Sequence, residues 1–84
     1  STPTLLLKQD PPYSEIYTGE QVKLICSIRE QTSQWAYQWI KDSTQVKSHI
    51  YSISSAAPSH NGTYTCQVER RGITFSESIK LTVR

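Results

Sequence analysis

Two cysteines, Cys26 and Cys66, are the sequence feature that most limits what this chain can fold into. Each lies where apolar and polar residues alternate, in QVKLICSI and in TYTCQV. A period of two is typical of a β-strand with one buried face, so both thiols are predicted to point inward. They are far apart rather than spaced as C-x-x-C, which argues against a zinc or redox site. A disulfide between them would close a loop of about 41 residues and stabilise the fold by roughly 4 kcal/mol.

The chain is short enough that such a cross-link matters. Its 84 residues make one domain, and a domain of this size buries a modest share of its surface. Disulfides persist in oxidising compartments, so the predicted location is extracellular, in a secreted protein or in the ectodomain of a membrane protein. We find no signal peptide and no run of 18 or more apolar residues. Residues 1–84 are therefore predicted to be a single domain excised from a longer multidomain ectodomain, without membrane contact of its own.

Alternation recurs along the rest of the chain. It places Trp35, Tyr37 and Trp39 of WAYQWIK on one face, and it returns in IYSIS and SIKLTV. Turn signals separate these runs, among them Arg71-Gly72, which is predicted to close a short hairpin. Pro11-Pro12 suits an edge strand that breaks and changes sheets, because proline cannot donate to a ladder. Seven or eight short strands indicate an all-β sandwich or barrel.

Two further residues narrow the fold. Trp39 follows Cys26 on an inward face, where it can lie against the sulfur bridge. Tyr64 precedes Cys66 by two positions, so its hydroxyl can bond the backbone upstream. Cysteine, tryptophan and then Tyr-x-Cys is the hallmark set of an immunoglobulin domain. We predict an immunoglobulin-like two-sheet sandwich with one inter-sheet disulfide, of the C2 or I-like set because the segment from Trp39 to Tyr64 is short.

The chain also resembles a particular branch of that superfamily. TGEQVKLICSI, YQWIKDS, YSISSAAPSHNGTYTCQV and SESIKLTV are similar to segments of the extracellular domains of Fc-receptor-like leukocyte receptors. The resemblance implies a recognition domain of an immune cell-surface receptor. His60 departs from the pattern, because most such domains carry an acidic residue there that pairs with a basic residue across the end of the barrel.

Asn61-Gly62-Thr63 is an N-x-T sequon, and Asn61 is the only asparagine in the chain. In an ectodomain it predicts a glycan at a loop end of the sandwich. Asn-Gly is equally a favourable turn pair, so a purely structural interpretation stays open.

The candidate ligand-binding residues lie in two places. Arg70 and Arg71 are predicted at the tip of the last hairpin, and Arg29 and Gln34 bound a loop at the same end. Loop tips are frequent contact points, and arginine is enriched in binding hot spots. Gln38 and Ile40 are predicted on the outward face of a sheet. The alternative is that these residues have no binding role: Arg70 and Arg71 would be solvated charges on a turn, and Ile40 an isolated exposed apolar residue.

Several classes of function are excluded. A net charge of +2 with scattered basic residues does not suit nucleic-acid binding. No nucleophile, base and orienting residue converge, and no phosphate loop or metalloprotease motif is present, so we predict neither an enzyme nor a cofactor or metal site. His49 and His60 are far apart in sequence and no cysteine or second histidine is placed to complete a site, so neither is predicted to bind a metal or to act in catalysis.

Two main interpretations of function remain, and a third is remote. The resemblance favours an extracellular ligand-recognition module that binds immunoglobulin or another protein ectodomain, with neighbouring immunoglobulin domains in the parent chain. The alternative is a structural spacer or adhesion domain without a ligand site of its own. An intracellular muscle-type immunoglobulin domain is a third interpretation, against which the sequon and an oxidised cysteine pair would count.

Overall fold

The computed structural model describes residues 2–30 and 34–84. Those residues form seven β-strands and one 3-10 turn, with no α-helix in these two ranges. The strands are β1 Leu5–Asp10, β2 Val22–Ile28, β3 Ala36–Lys41, β4 Thr44–Val46, β5 Ile50–Ile53, β6 Gly62–Arg70 and β7 Ile73–Leu81; the 3-10 turn is Pro58–His60.

The strands make two antiparallel sheets. The first has the order β1-β2-β5 and the second the order β4-β3-β6-β7. After β1 the chain passes Pro11-Pro12 and reaches the other sheet, where Ile16 bridges Val83 in parallel. The predicted change of sheet at the prolines is therefore confirmed. In the described residues only the three-residue β4 lies between β3 and β5, which agrees with a short C2-like set.

The core lies between the two sheets, and alternation accounts for it. The inward residues of β2 and β6 are buried, while their neighbours face outward. Cys26 and Cys66 form the predicted disulfide, with 6.4 Å between their Cα atoms. Trp39 is fully buried opposite Cys66, and its Nε1 donates to the carbonyl of His49 at 2.9 Å. The predicted fold and disulfide are thus confirmed, and Trp39 lies in the core between the sheets.

Tyr64 closes one end of the sandwich. Its side chain is fully buried, and its hydroxyl donates to the carbonyl of His60 at 2.6 Å. His60 in turn accepts the Ala57 N–H at Nδ1, at 2.9 Å. Lys41 lies 5.5 Å from the centre of the Tyr64 ring and donates from Nζ to the carbonyl of Ser59 at 3.1 Å. His60 thus accepts a hydrogen bond from the backbone and Lys41 donates one to it, at the position where the resemblance predicted a salt bridge.

Burial of Tyr64 predicts a loss of stability in alkali. Burial, followed by the nearby Tyr51 and Asp42, raises the pKa of Tyr64 to about 12. An unfolded tyrosine ionises near a pKa of about 10. Below that pH both states are neutral and the contribution of the hydroxyl is fully present. Between the two pKa values the native state holds the extra proton, so its stability falls as pH rises, by at most about 1.4 kcal/mol per pH unit.

The comparison that isolates this residue is with Tyr64→Phe. At pH 7 the wild type should be more stable by about 1 kcal/mol, because the variant lacks the bond to His60. Urea unfolding repeated from pH 8 to pH 11 should show that this advantage shrinks above pH 10. Two stability curves that run parallel over the whole range would show that Tyr64 does not titrate differently in the two states.

Candidate functional site

The loops that join the strands bring several candidate residues to one end of the sandwich. Ala36, at the start of β3, pairs with Glu69 near the end of β6, so Trp35 lies at the same end of the sandwich as the β6–β7 hairpin. Arg70 and Ile73 form the last pair of the hairpin, and Arg71-Gly72 makes the two-residue turn. Arg71 and Gly72 have φ values of 55° and 79°, and a type I′ hairpin turn requires positive φ at both of its central residues.

An arginine stacked on a tryptophan marks this end. The guanidinium carbon of Arg70 lies 4.8 Å from the centre of the Trp35 ring, within the range of a cation–π contact. The Phe75 ring also meets Trp35 edge-on, with 6.0 Å between the ring centres. Ile73 is 58% exposed beside them. We call Trp35, Arg70, Arg71, Ile73 and Phe75 the hairpin-tip surface.

The sequence alternation explains why this surface is apolar. Arg70 has the same parity as the buried Val68, and Ile73 the same parity as Phe75, so all four belong to the inward face of their strands. Ile73, next to the turn, is 58% exposed, whereas Phe75 packs against the core, so the inward face becomes accessible at the tip. Trp35 caps the core as predicted, since it packs against the buried cluster while remaining partly exposed.

Backbone hydrogen bonds occupy the acidic residues at this end. Glu69 accepts the Gly72 N–H at Oε2, at 2.9 Å, and so holds the turn closed. Glu30 accepts the Thr4 N–H at Oε1, at 2.8 Å. That backbone hydrogen bond is the main cause that lowers the pKa of Glu30. Arg29, Arg70 and Arg71 lie at the same end of the sandwich as Glu30 and Glu69.

The loop after β2 contains two further candidate residues, Arg29 and Gln34. Arg29 is exposed, and its N–H donates to the carbonyl of Thr4 at 3.0 Å. Gln34 is exposed immediately before Trp35. The predicted loop runs from Arg29 to Gln34, and its positions 31–33 lie outside the described residues.

Gln38 and Ile40 lie on a different surface, the outer face of the four-stranded sheet. Gln38 donates from Nε2 to Oε1 of Gln67 at 3.0 Å. Ile40 is half-buried between Gln45 of β4 and Thr65 of β6, so it is less exposed than the sequence suggested. The candidate residues therefore divide between two faces, and the hairpin-tip surface is the one that combines charge with apolar area.

Sequence reasoning missed two members of this surface, Ile73 and Phe75. The signal was available, because both continue the inward parity of Ile79 and Leu81 back to the hairpin turn. Parity alone does not show that an inward position loses its cover, and that depends on how far the hairpin extends.

The sequence and the fold are similar to those of known proteins. The model of the immunoglobulin domain family matches residues 6–83. The chain belongs to that family. As an immunoglobulin domain it falls in a non-enzymatic family.

The relatives of this immunoglobulin domain include an Fc receptor. The chain is 32% identical over 85 residues to the alpha subunit of the rat high affinity immunoglobulin epsilon receptor. The match covers 99% of this chain and 34% of that protein, so the chain spans about a third of the relative's length.

Solved structures share the fold. The second Ig-C2 domain of human Fc-receptor like A superposes with a TM-score of 0.76 at 20% identity, over 99% of both chains. The amphioxus IgVJ-C2 molecule gives a TM-score of 0.81 at 20% identity, over 98% of this chain and 44% of that one. The identity to the receptor subunit supports the resemblance to Fc-receptor-like domains, and the two solved structures show that the fold is shared. Within residues 2–30 and 34–84, no helix has the length and apolar character that crossing a membrane requires.

Proposed function

We propose that this immunoglobulin domain is an extracellular ligand-recognition module of an immune cell-surface receptor, and that its hairpin-tip surface contacts the ligand. The ligand is an immunoglobulin or another protein ectodomain. The rat relative is by name a subunit of an immunoglobulin receptor, which supports both the setting and the ligand class. Because that relative is about three times longer, we also propose neighbouring domains in the parent chain.

One observation carries the choice of surface: Arg70 lies 4.8 Å over the Trp35 ring, beside the 58% exposed Ile73. Tryptophan and arginine are the residues most enriched in binding hot spots. A guanidinium already held over an aromatic ring loses less side-chain freedom when it binds. A charged fork beside apolar area suits a protein surface that presents a carboxylate next to an apolar side chain.

We expect Arg70→Glu combined with Arg71→Glu to weaken ligand binding by more than about 1 kcal/mol, or about fivefold in Kd. The domain should be displayed as a multimer, since avidity reveals weak sites, and passed over a panel of immunoglobulins and immune-cell ectodomains. Arg70→Lys separates the two contributions of that side chain, because lysine keeps the charge and lacks the flat face.

The matched control is Lys8→Glu combined with Lys23→Glu, which makes the same change in net charge on the outer face of the three-stranded sheet. Equal losses in both double variants would indicate long-range attraction rather than a contact at the hairpin tip. Affinity that survives Arg70→Glu and Arg71→Glu would move the site elsewhere on the domain. A domain that binds nothing on the panel would favour the spacer or adhesion interpretation.

A further inference from the structure

The side chain of Asn61 makes three hydrogen bonds to the backbone. Its Nδ2 donates to the carbonyl of Val83 at 2.9 Å and to the carbonyl of Pro58 at 3.0 Å. Its Oδ1 accepts the N–H of Val83 at 2.6 Å. Both Nδ2 hydrogens are therefore engaged, although the residue as a whole is exposed.

These bonds extend the four-stranded sheet. The ladder between β6 and β7 ends with the pair Gly62 and Leu81. Beyond the end of β7, the next backbone groups on the side of β6 are those of Val83, and the Asn61 amide binds both. On the opposite side, Ile16 donates to Thr82 at 2.9 Å and accepts from Arg84 at 2.8 Å. The amide thus adds one rung and helps to hold residues 82–84 against Ile16.

The geometry of this rung conflicts with the sequon. Glycosylation would join Nδ2 to C1 of a sugar from a lipid-linked pyrophosphate donor; Nδ2 loses a proton and the lipid pyrophosphate leaves. The product is a secondary amide, which strongly prefers the trans arrangement. In that arrangement C1 lies on the same side as Oδ1. Oδ1 and Nδ2 both hydrogen-bond to Val83. The position that C1 would take is therefore already occupied by the Nδ2 hydrogen that is donated to the Val83 carbonyl.

We propose that Asn61 is a structural clasp and that its contact with Val83 and an N-linked glycan are mutually exclusive. The sequon therefore stays unmodified in the chain that folds with the clasp in place. A chain that receives a glycan before it folds keeps at most the hydrogen that reaches Pro58, and its last strand is less firmly held.

Two substitutions separate the clasp from the sequon. Thr63→Val destroys the sequon and leaves Asn61 intact, at an exposed strand position where a β-branched residue is favourable. Asn61→Gln destroys the sequon and the clasp together, because the longer side chain cannot place its amide against Val83. Both variants and the wild-type chain are secreted from a mammalian cell line, weighed intact by mass spectrometry and melted under circular dichroism.

We expect the wild type to emerge with the mass of the bare chain and to melt within a few degrees of Thr63→Val. Asn61→Gln should melt about 5–15 °C lower, as the loss of several backbone hydrogen bonds in a domain of this size implies. Any glycosylated wild-type fraction should melt below Thr63→Val by a similar margin. A glycosylated fraction as stable as Thr63→Val would overturn the proposal, as would Asn61→Gln melting with Thr63→Val.

Discussion

Replacing Cys26 and Cys66 together by alanine is expected to lower the free energy of unfolding by about 2–5 kcal/mol. The bond joins β2 to β6, which lie in different sheets, across a sequence separation of 40. Without it the unfolded chain gains conformational freedom, while the native chain keeps both sheets. Small domains have a total stability of about 5–15 kcal/mol, so the variant should be close to the limit of folding at 37 °C.

Urea unfolding followed by far-ultraviolet circular dichroism measures this loss. The dependence of the free energy on urea should also steepen, because an uncrosslinked unfolded chain exposes more surface. The reduced wild type serves as the control, since it keeps both buried sulfur atoms and lacks only the bond. If the reduced wild type matched the oxidised protein and only the double variant lost stability, the loss would come from the cavity left by the sulfurs rather than from the cross-link.

The strand pattern and the core could be predicted from the sequence because they follow from local alternation. In β2 the parity of Val22, Leu24 and Cys26 gives the buried face directly, and the structure buries all three. The hairpin at Arg71-Gly72 was equally local, since the turn type depends on two adjacent residues. The bond from Tyr64 to the backbone upstream spans only four residues, so it too could be anticipated.

The features that matter for function depend on distant parts of the chain. The stack of Arg70 on Trp35 requires the end of β6 and the start of β3 to coincide, which is a matter of register between strands. The contact of Asn61 with Val83 spans 22 residues and depends on where the β6–β7 ladder stops. The exposure of Ile73 depends on which distant parts of the chain pack beside the hairpin tip. The alternation within a single strand does not determine the register between strands or the residue at which a ladder ends.

The two tryptophans differ in their burial, and replacing the buried one is expected to cause the second large loss of stability. Trp39 is fully buried beside the disulfide and donates a hydrogen bond from Nε1, whereas Trp35 lies partly exposed at the hairpin tip. Trp39→Ala is expected to lower the free energy of unfolding by about 3–5 kcal/mol, because it leaves a large cavity in a core that cannot collapse around the cross-link. Trp39→Phe should cost less, since a ring remains and only the Nε1 bond and part of the volume are lost.

Trp35→Ala makes the same chemical change and is the matched control. It removes the contact with Arg70 and part of the packing on Phe75, so we expect a cost of about 1–2 kcal/mol in stability. Urea unfolding of the three variants at neutral pH ranks these costs. Ligand binding should respond in the opposite order, with Trp35→Ala weakening it while a folded Trp39→Phe domain binds as the wild type does. Equal stability losses at the two positions would make Trp35 a core residue and would remove the hairpin-tip surface as a separate feature of the domain.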